Sequence, residues 1–175
     1  MRTLLKAAEL IDRMSDTSGK VFSFLLPALA FVMGFEVVAR YVFNNPTIWG
    51  YELSMFLFGA ASILGGAYTL RWRGHVNVDI LTSRLSPRQS ALLNLITSVV
   101  FFAFVGTLLW KGYVFAAKSV AGLEHTDTLW SPPIYYFKIT LPVGAALIVL
   151  QGIADQLRNV VTLIQGSTEH DARSA

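Results

Sequence analysis

The sequence predicts an all-α integral membrane protein with four transmembrane helices, an N-terminal interfacial amphipathic helix, and both termini cytoplasmic. Three observations predict it. Of 175 residues, 54% are hydrophobic and only 14% charged, whereas a soluble domain carries about 25% charged residues. The apolar residues gather in long runs, each near or above the ~20 residues a helix needs to cross a bilayer. The basic residues flank those runs unevenly, as the positive-inside rule requires.

Residues 1–20 form the first segment. Leu4, Ala8, Ile11 and Met14 recur at helical spacing, with Lys6, Glu9, Asp12 and Arg13 elsewhere around the helix. That pattern suits an amphipathic helix lying in the interface; a solvated, frayed end is the plainer alternative. Met1 to Lys20 has no uninterrupted apolar stretch, so it is not read as a cleavable signal. A membrane domain follows over 21–155, with spans at about 21–43, 51–70, 91–117 and 134–154. Ser86-Pro87-Arg88-Gln89 is a Ser-x-x-Gln capping box with proline at the first helical position, which starts the third helix near Pro87. Ser131-Pro132-Pro133 opens the fourth, and Pro142 inside it predicts a kink. Residues 156–175 form a polar cytoplasmic tail, which composition marks as disordered from Gly166 onward.

Orientation follows from the cations. Arg2, Lys6, Arg13, Lys20, Arg71, Arg73, Arg84, Arg88, Arg158 and Arg173 fall on one side, and Arg40, Lys111, Lys118 and Lys138 on the other. The richer side is cytoplasmic. Trp49, Trp110, Tyr113, Trp130, Tyr135 and Tyr136 then lie near the outer interface, where amphipathic rings sit well. The net charge of +3 reflects this orientation, and nucleic acid is not an expected partner.

The candidate functional residues begin at the hairpin between the first two spans. Glu36 and Arg40 are four residues apart and share a helix face. Glu52 starts the next helix and could reach Arg40, giving a Glu-Arg-Glu cluster. Such groups are costly beside lipid unless paired or wetted. The cluster is either a structural clamp on the hairpin or a grip on a partner subunit; a proton path is the least economical reading. In the second span, Ala61-x-x-x-Gly65 and Ser62-x-x-x-Gly66 are small-residue pairs that let a helix approach closely. After it, His75 and Asp79 could pair at i, i+4 and tie a loop. As a metal site they lack further ligands.

Several function classes are disfavoured. Cysteine is absent, so no disulfide or thiolate metal site can form. His75, His125 and His170 lie outside the spans, which argues against intramembrane haem ligation and against a Ser/His/Asp site. No Walker A loop or dinucleotide fingerprint is present. The chain is therefore read as neither an enzyme nor a cofactor carrier. The spans have almost no charge at mid-depth, which makes the chain alone a poor transporter.

Arg40-Tyr41-Val42-Phe43-Asn44-x-Pro46-x-x-Trp49-x-x-Glu52-Leu53 resembles the signature of the small membrane subunit of tripartite ATP-independent periplasmic (TRAP) transporters, the DctQ-type family. Gly65-Gly66-Ala67-Tyr68 with Arg73-Gly74-His75-Val76-x-Val78-Asp79 resembles its second motif. Trp130-x-Pro132-x-x-Tyr135 with Leu141-Pro142-Val143-Gly144 resembles its third. The resemblance implies residence in the bacterial inner membrane beside a large membrane subunit that holds the substrate and sodium sites and makes an elevator-type movement. It implies a periplasmic substrate-binding protein that commonly captures an organic acid, and uptake driven by sodium rather than ATP. This chain would then be a non-catalytic scaffold in contact with membrane lipids. The resemblance adds Trp49 and Glu52 to the interface candidates, and His75 and Asp79 to the loop-structuring ones. The alternatives are a membrane anchor subunit of a redox enzyme complex and a self-assembling small channel.

Overall fold

The computed structural model describes residues 2–72 and 87–173. Six helices make up these residues: α1 (Arg2–Ser23), α2 (Leu25–Tyr41), α3 (Gly50–Leu64), α4 (Gly66–Arg71), α5 (Pro87–Ala121) and α6 (Tyr135–Arg173). Four stretches are long and apolar enough to cross a membrane: Leu5–Tyr41, Gly50–Arg71, Leu92–Ala121 and Tyr135–Ile164. These four carry the spans expected from the sequence.

α1 and α2 are separated only by Phe24, and the cause is Pro27. It has no N–H to return to the Ser23 carbonyl, and its ring crowds that carbonyl. Phe24 instead bonds back to Val21 O at 3.4 Å. The Leu5–Tyr41 stretch has 37 residues, about 55 Å at 1.5 Å per residue. That exceeds a hydrocarbon core of about 30 Å, so one end of it must project or tilt. α2 ends where Asn44 takes a left-handed φ of 48°, a conformation asparagine tolerates. The second span is similarly interrupted at Gly65, whose N–H still bonds Ala61 O at 3.0 Å.

α6 is the hub. α5 packs along it, and α1, α3 and α4 also lie against it, while α2 packs on α3. One third of the most apolar stretch of α6 is buried (33%), against 6–11% for the other spans. The transmembrane helices therefore stand in a row, α2–α3–α6–α5, rather than closing into a bundle. α5 and α6 are antiparallel. Gly112 faces Leu141 and Pro142, and Phe101 lies over Gly152. Close approach fixes Gly144 as well: a Cβ there would run into the Ile63 side chain and lie 2.7 Å from its carbonyl oxygen. Gly59 and Gly66 of the second span serve the same α6 seam, against Phe137 and Ile148, with Ala67 and Ala145 both fully buried.

α6 continues to Arg173, through the stretch expected to be a polar and partly disordered tail. Side-chain bonds run along the helix as far as Thr162: Arg158 to Asp155 at 2.9 Å, Asn159 to Gln156 at 3.2 Å and Thr162 to Arg158 O at 3.0 Å.

Candidate functional site

Polar side chains gather at two ends of this row. At the hairpin end, Glu36 takes a bidentate contact from Arg40, with Nη2 at 2.6 Å and Nε at 3.2 Å. Its other oxygen accepts from the Thr47 hydroxyl and from the Thr47 N–H at 3.2 Å. Thr47 Oγ1 accepts in turn from Gly50 N–H at 3.0 Å, which orders the first turn of α3 as a capping hydroxyl does. A Cβ at Gly50 would meet Thr47 Oγ1 at 2.6 Å and Glu36 Oε2 at 2.7 Å, so a larger residue there would displace this pair. Trp49 stacks on Phe35 with centroids 5.7 Å apart and 18° between planes.

Glu52 does not join this cluster. It is buried and accepts from Thr128 Oγ1 at 2.8 Å, in the loop between α5 and α6. The expected Glu36-Arg40-Glu52 group is therefore two separate ties, and among the described residues no ion pair links Arg40 to Glu52. The reason is the tight 42–49 turn. Thr47, rather than Glu52, reaches the face of α2 that carries Glu36, which leaves Glu52 facing α6 and the loop before it. That loop is closed further by Thr126 N to Pro132 O at 3.1 Å and Ile134 N to Glu124 O at 3.0 Å. Lys138 Nζ lies 2.5 Å from Glu124 Oε2 and 4.2 Å from the centre of the Phe115 ring. The Lys138 ammonium holds the Glu124 carboxyl below the ordinary value of 4.5.

The remaining sequence candidates fall elsewhere. Ser62 is exposed and its hydroxyl donates to Phe58 O at 2.8 Å. Gly66 packs against Ile148 of α6, within this chain. His75 and Asp79 lie outside the described residues.

Sequence reasoning missed the second cluster, at the opposite end of the row. Asp12 pairs with Arg158 and accepts from Gln151 Nε2 at 3.1 Å. Gln151 Oε1 accepts from Ser15 Oγ at 2.6 Å. Arg71 pairs with Asp16 and donates to the Asp12 carbonyl at 2.6 Å. Arg158 also reaches Asp155 at 2.9 Å. Ser15 and Gln151 are fully buried, so this network straps α1 to α4 and α6. Ala8 and Ser15 are buried on the strapped face, and Gly19 abuts Tyr68 of α4. The signal was present at positions 8, 12, 15 and 19, a stripe of small and polar residues at the spacing of a helix seam, and in Gln151, a lone amide within an apolar span. Beside lipid a helix hides its polar face against protein. Here the apolar side chains of Leu10, Met14 and Val21 point outward.

Among the described residues, the geometry gives the first motif, the 65–68 part of the second and the third as packing elements: a turn clamp, a Gly-Ala-Tyr seam and a closed loop leading into the Gly144 contact. Comparisons with known proteins agree. Residues 10–162 match the family described as tripartite ATP-independent periplasmic transporters, DctQ component. The sialic acid TRAP transporter small permease protein SiaQ of Vibrio cholerae is 25% identical over 142 residues, 81% of this chain and 80% of that protein. The isethionate TRAP transporter permease protein DctMQ of Oleidesulfovibrio alaskensis is 26% identical over 140 residues, 75% of this chain but 22% of that protein. The sialic acid TRAP transporter permease protein SiaT of Haemophilus influenzae is 26% identical over 133 residues, 73% of this chain and 20% of that protein. With its four membrane-crossing stretches and a family match covering most of its length, this chain belongs to the DctQ component family of TRAP transporters, as a small permease subunit.

Proposed function

We propose that this chain is the non-catalytic scaffold subunit of a sodium-coupled TRAP transporter that imports organic acids. It works in the bacterial inner membrane beside a large membrane subunit and a periplasmic substrate-binding protein, with both termini cytoplasmic. The observation that carries the reading is the open row of helices. Among the described residues α2 packs chiefly on α3 and α5 on α6, and both turn large apolar side chains outward, among them Phe31, Met33 and Phe35 on α2 and Val99, Val100 and Phe104 on α5. The polar clusters hold the chain's own helices together, as a rigid support requires. That this chain matches about a fifth of two longer permeases fits a large membrane partner. In this reading Glu36, Arg40, Trp49 and Glu52 shape the outer rim of the scaffold, Ser62 and Gly66 belong to its second helix, and His75 and Asp79 order its cytoplasmic loop. The family match lends nothing to the redox-anchor alternative.

The test is purification of the tagged chain from its native membrane in mild detergent, with partners identified by mass spectrometry. A many-span membrane protein in near-equal amount is the expected result. Recovery with a redox enzyme, or alone, would contradict the proposal. Orientation is tested by single-cysteine labelling, which the absence of native cysteine makes clean. An engineered cysteine near Ala175 should label from the cytoplasmic side only.

A further inference from the structure

We propose that Lys111 marks the face of α5 that docks against the large membrane subunit, and that it pairs there with a carboxylate on one of that subunit's helices, inside the bilayer. The inference rests on the scaffold reading above and adds the helix and the charge that make the contact. Depth comes first. α5 and α6 run antiparallel, and Gly112 faces Leu141 and Pro142. The neighbouring Lys111 therefore stands level with Pro142, about 10 Å along the axis from Tyr135, where α6 begins. Ile63 meets Gly144 at nearly the same level, well inside the Gly50–Arg71 stretch. Flanking-charge counting groups Lys111 with the cations at the outer end, but packing puts it within the hydrocarbon. An ammonium there is costly unless paired or wetted. A lysine near the end of a span can snorkel to water, and two features oppose that here. The Cα–Cβ bond of a helical residue tilts toward the helix N-terminus, which for Lys111 is away from Ala121, the nearer end of its span. Lys118, two turns on along the same face, puts a second ammonium in the way.

Charge complementarity selects the occupant. α5 has no Asp or Glu anywhere between Pro87 and Ala121. Of the carboxylates at the hairpin end, Glu36 is taken by Arg40 and Glu124 by Lys138. Glu52 is buried against Thr128, and Asp127 sits in the loop beyond the end of α5. Among the described residues Lys111 has no ion pair, and it is exposed. A carboxylate from another membrane helix is the complement it lacks. The surface beside it admits such a helix. Thr107 lies one turn before Lys111, exposed, with its hydroxyl already donating to Ala103 O at 2.7 Å. With the exposed Ala103 it leaves a low patch where a second backbone can come close. The open face of α2 differs: its two charged residues, Glu36 and Arg40, bind each other, and its exposed Phe31, Met33 and Phe35 suit lipid.

The test is co-purification of the tagged full chain with the large membrane subunit, from membranes that contain both. Lys111→Met should lower the recovered large subunit about tenfold or more, as when one side of a buried charge pair is cut away. Lys111→Arg should keep most of it. Thr107→Trp should lower recovery as well, whereas Gly34→Trp, on the α2 face where a Cβ meets nothing within 4 Å, should leave it unchanged. None of these variants should lower the SDS unfolding midpoint of the chain alone, because all three positions are exposed. Full recovery with both Lys111→Met and Thr107→Trp, beside a normal wild-type complex, would overturn the inference and leave the scaffold reading standing. A wild-type chain that brings down no large subunit would remove both. Cross-linking of a cysteine at Thr107 to a second copy of this chain, rather than to the large subunit, would assign the face to self-assembly and also overturn the inference.

Discussion

Gln151→Leu removes an amide at the centre of the α1–α6 strap while nearly conserving its volume. Gln151 is fully buried, accepts from Ser15 Oγ at 2.6 Å and donates to Asp12 Oδ1 at 3.1 Å. The substitution leaves the Ser15 hydroxyl unpaired, which costs about 1–3 kcal/mol. Asp12 also loses one charge-assisted donor but keeps Arg158, so the second loss is partial. A total of about 2–3 kcal/mol follows, or about 5–10 °C in melting temperature for a chain of this size. Ser15→Ala strands the Gln151 carbonyl instead and costs about 1 kcal/mol. The double variant strands neither group against the other. It should therefore be more stable than the sum of the singles by about 1 kcal/mol, within the range of hydrogen bonds measured in membrane proteins. The assay is unfolding in mixed micelles by SDS titration, followed through tryptophan fluorescence. Single variants within about 0.3 kcal/mol of wild type, or strict additivity, would refute the claim that this pair straps α1 to α6.

Other predictions test the seams. Gly144→Ala drives a methyl into Ile63 and should destabilise by about 1–3 kcal/mol, read by the same titration; a neutral result would place α3 and α6 further apart. Thr128→Val leaves the buried Glu52 without its 2.8 Å donor and should cost about 1–3 kcal/mol, whereas Thr128→Ser should be close to wild type. A loss with Thr128→Ser equal to that with valine would mean that shape, not the hydrogen bond, matters. The Glu124–Lys138 tie predicts a pH effect. Glu124 titrates lower in the folded chain than its ordinary 4.5, so its contribution is present above 4.5 and is lost as pH falls through the lowered value. The melting temperature of the wild type should exceed that of Glu124→Gln at neutral pH, and the gap should close below 4.5; a gap that stayed constant on acidification would reject the tie.

Local sequence pattern revealed the spans, because run length and flanking charge are properties of neighbouring residues. Pro27 and Asn44 also act locally, through a missing N–H and a left-handed φ. The motif between Arg40 and Glu52 marked the hairpin, yet it misassigned Glu52. The partner of Glu52, Thr128, lies 76 positions away, and nothing in the spacing announces it. Asp12 and Arg158 are 146 positions apart. Their meeting depends on α6 lying against α1, a matter of tertiary packing that periodicity cannot show. The stripe through Ala8, Asp12, Ser15 and Gly19 was legible as a helix face, but the reading of an interfacial amphipathic helix leaves the side carrying Asp12 to water rather than to α4 and α6. In a membrane the preference reverses, because lipid accepts Leu10 and Val21 while the polar face needs protein partners.

Reconstitution into proteoliposomes tests the central claim most directly. The chain alone, the large membrane subunit alone, and the two together would be compared for sodium-dependent uptake of labelled carboxylates presented by the periplasmic binding protein. The account predicts uptake only when the large subunit is present, with full activity requiring both chains. Sodium-dependent uptake by this chain alone would contradict it.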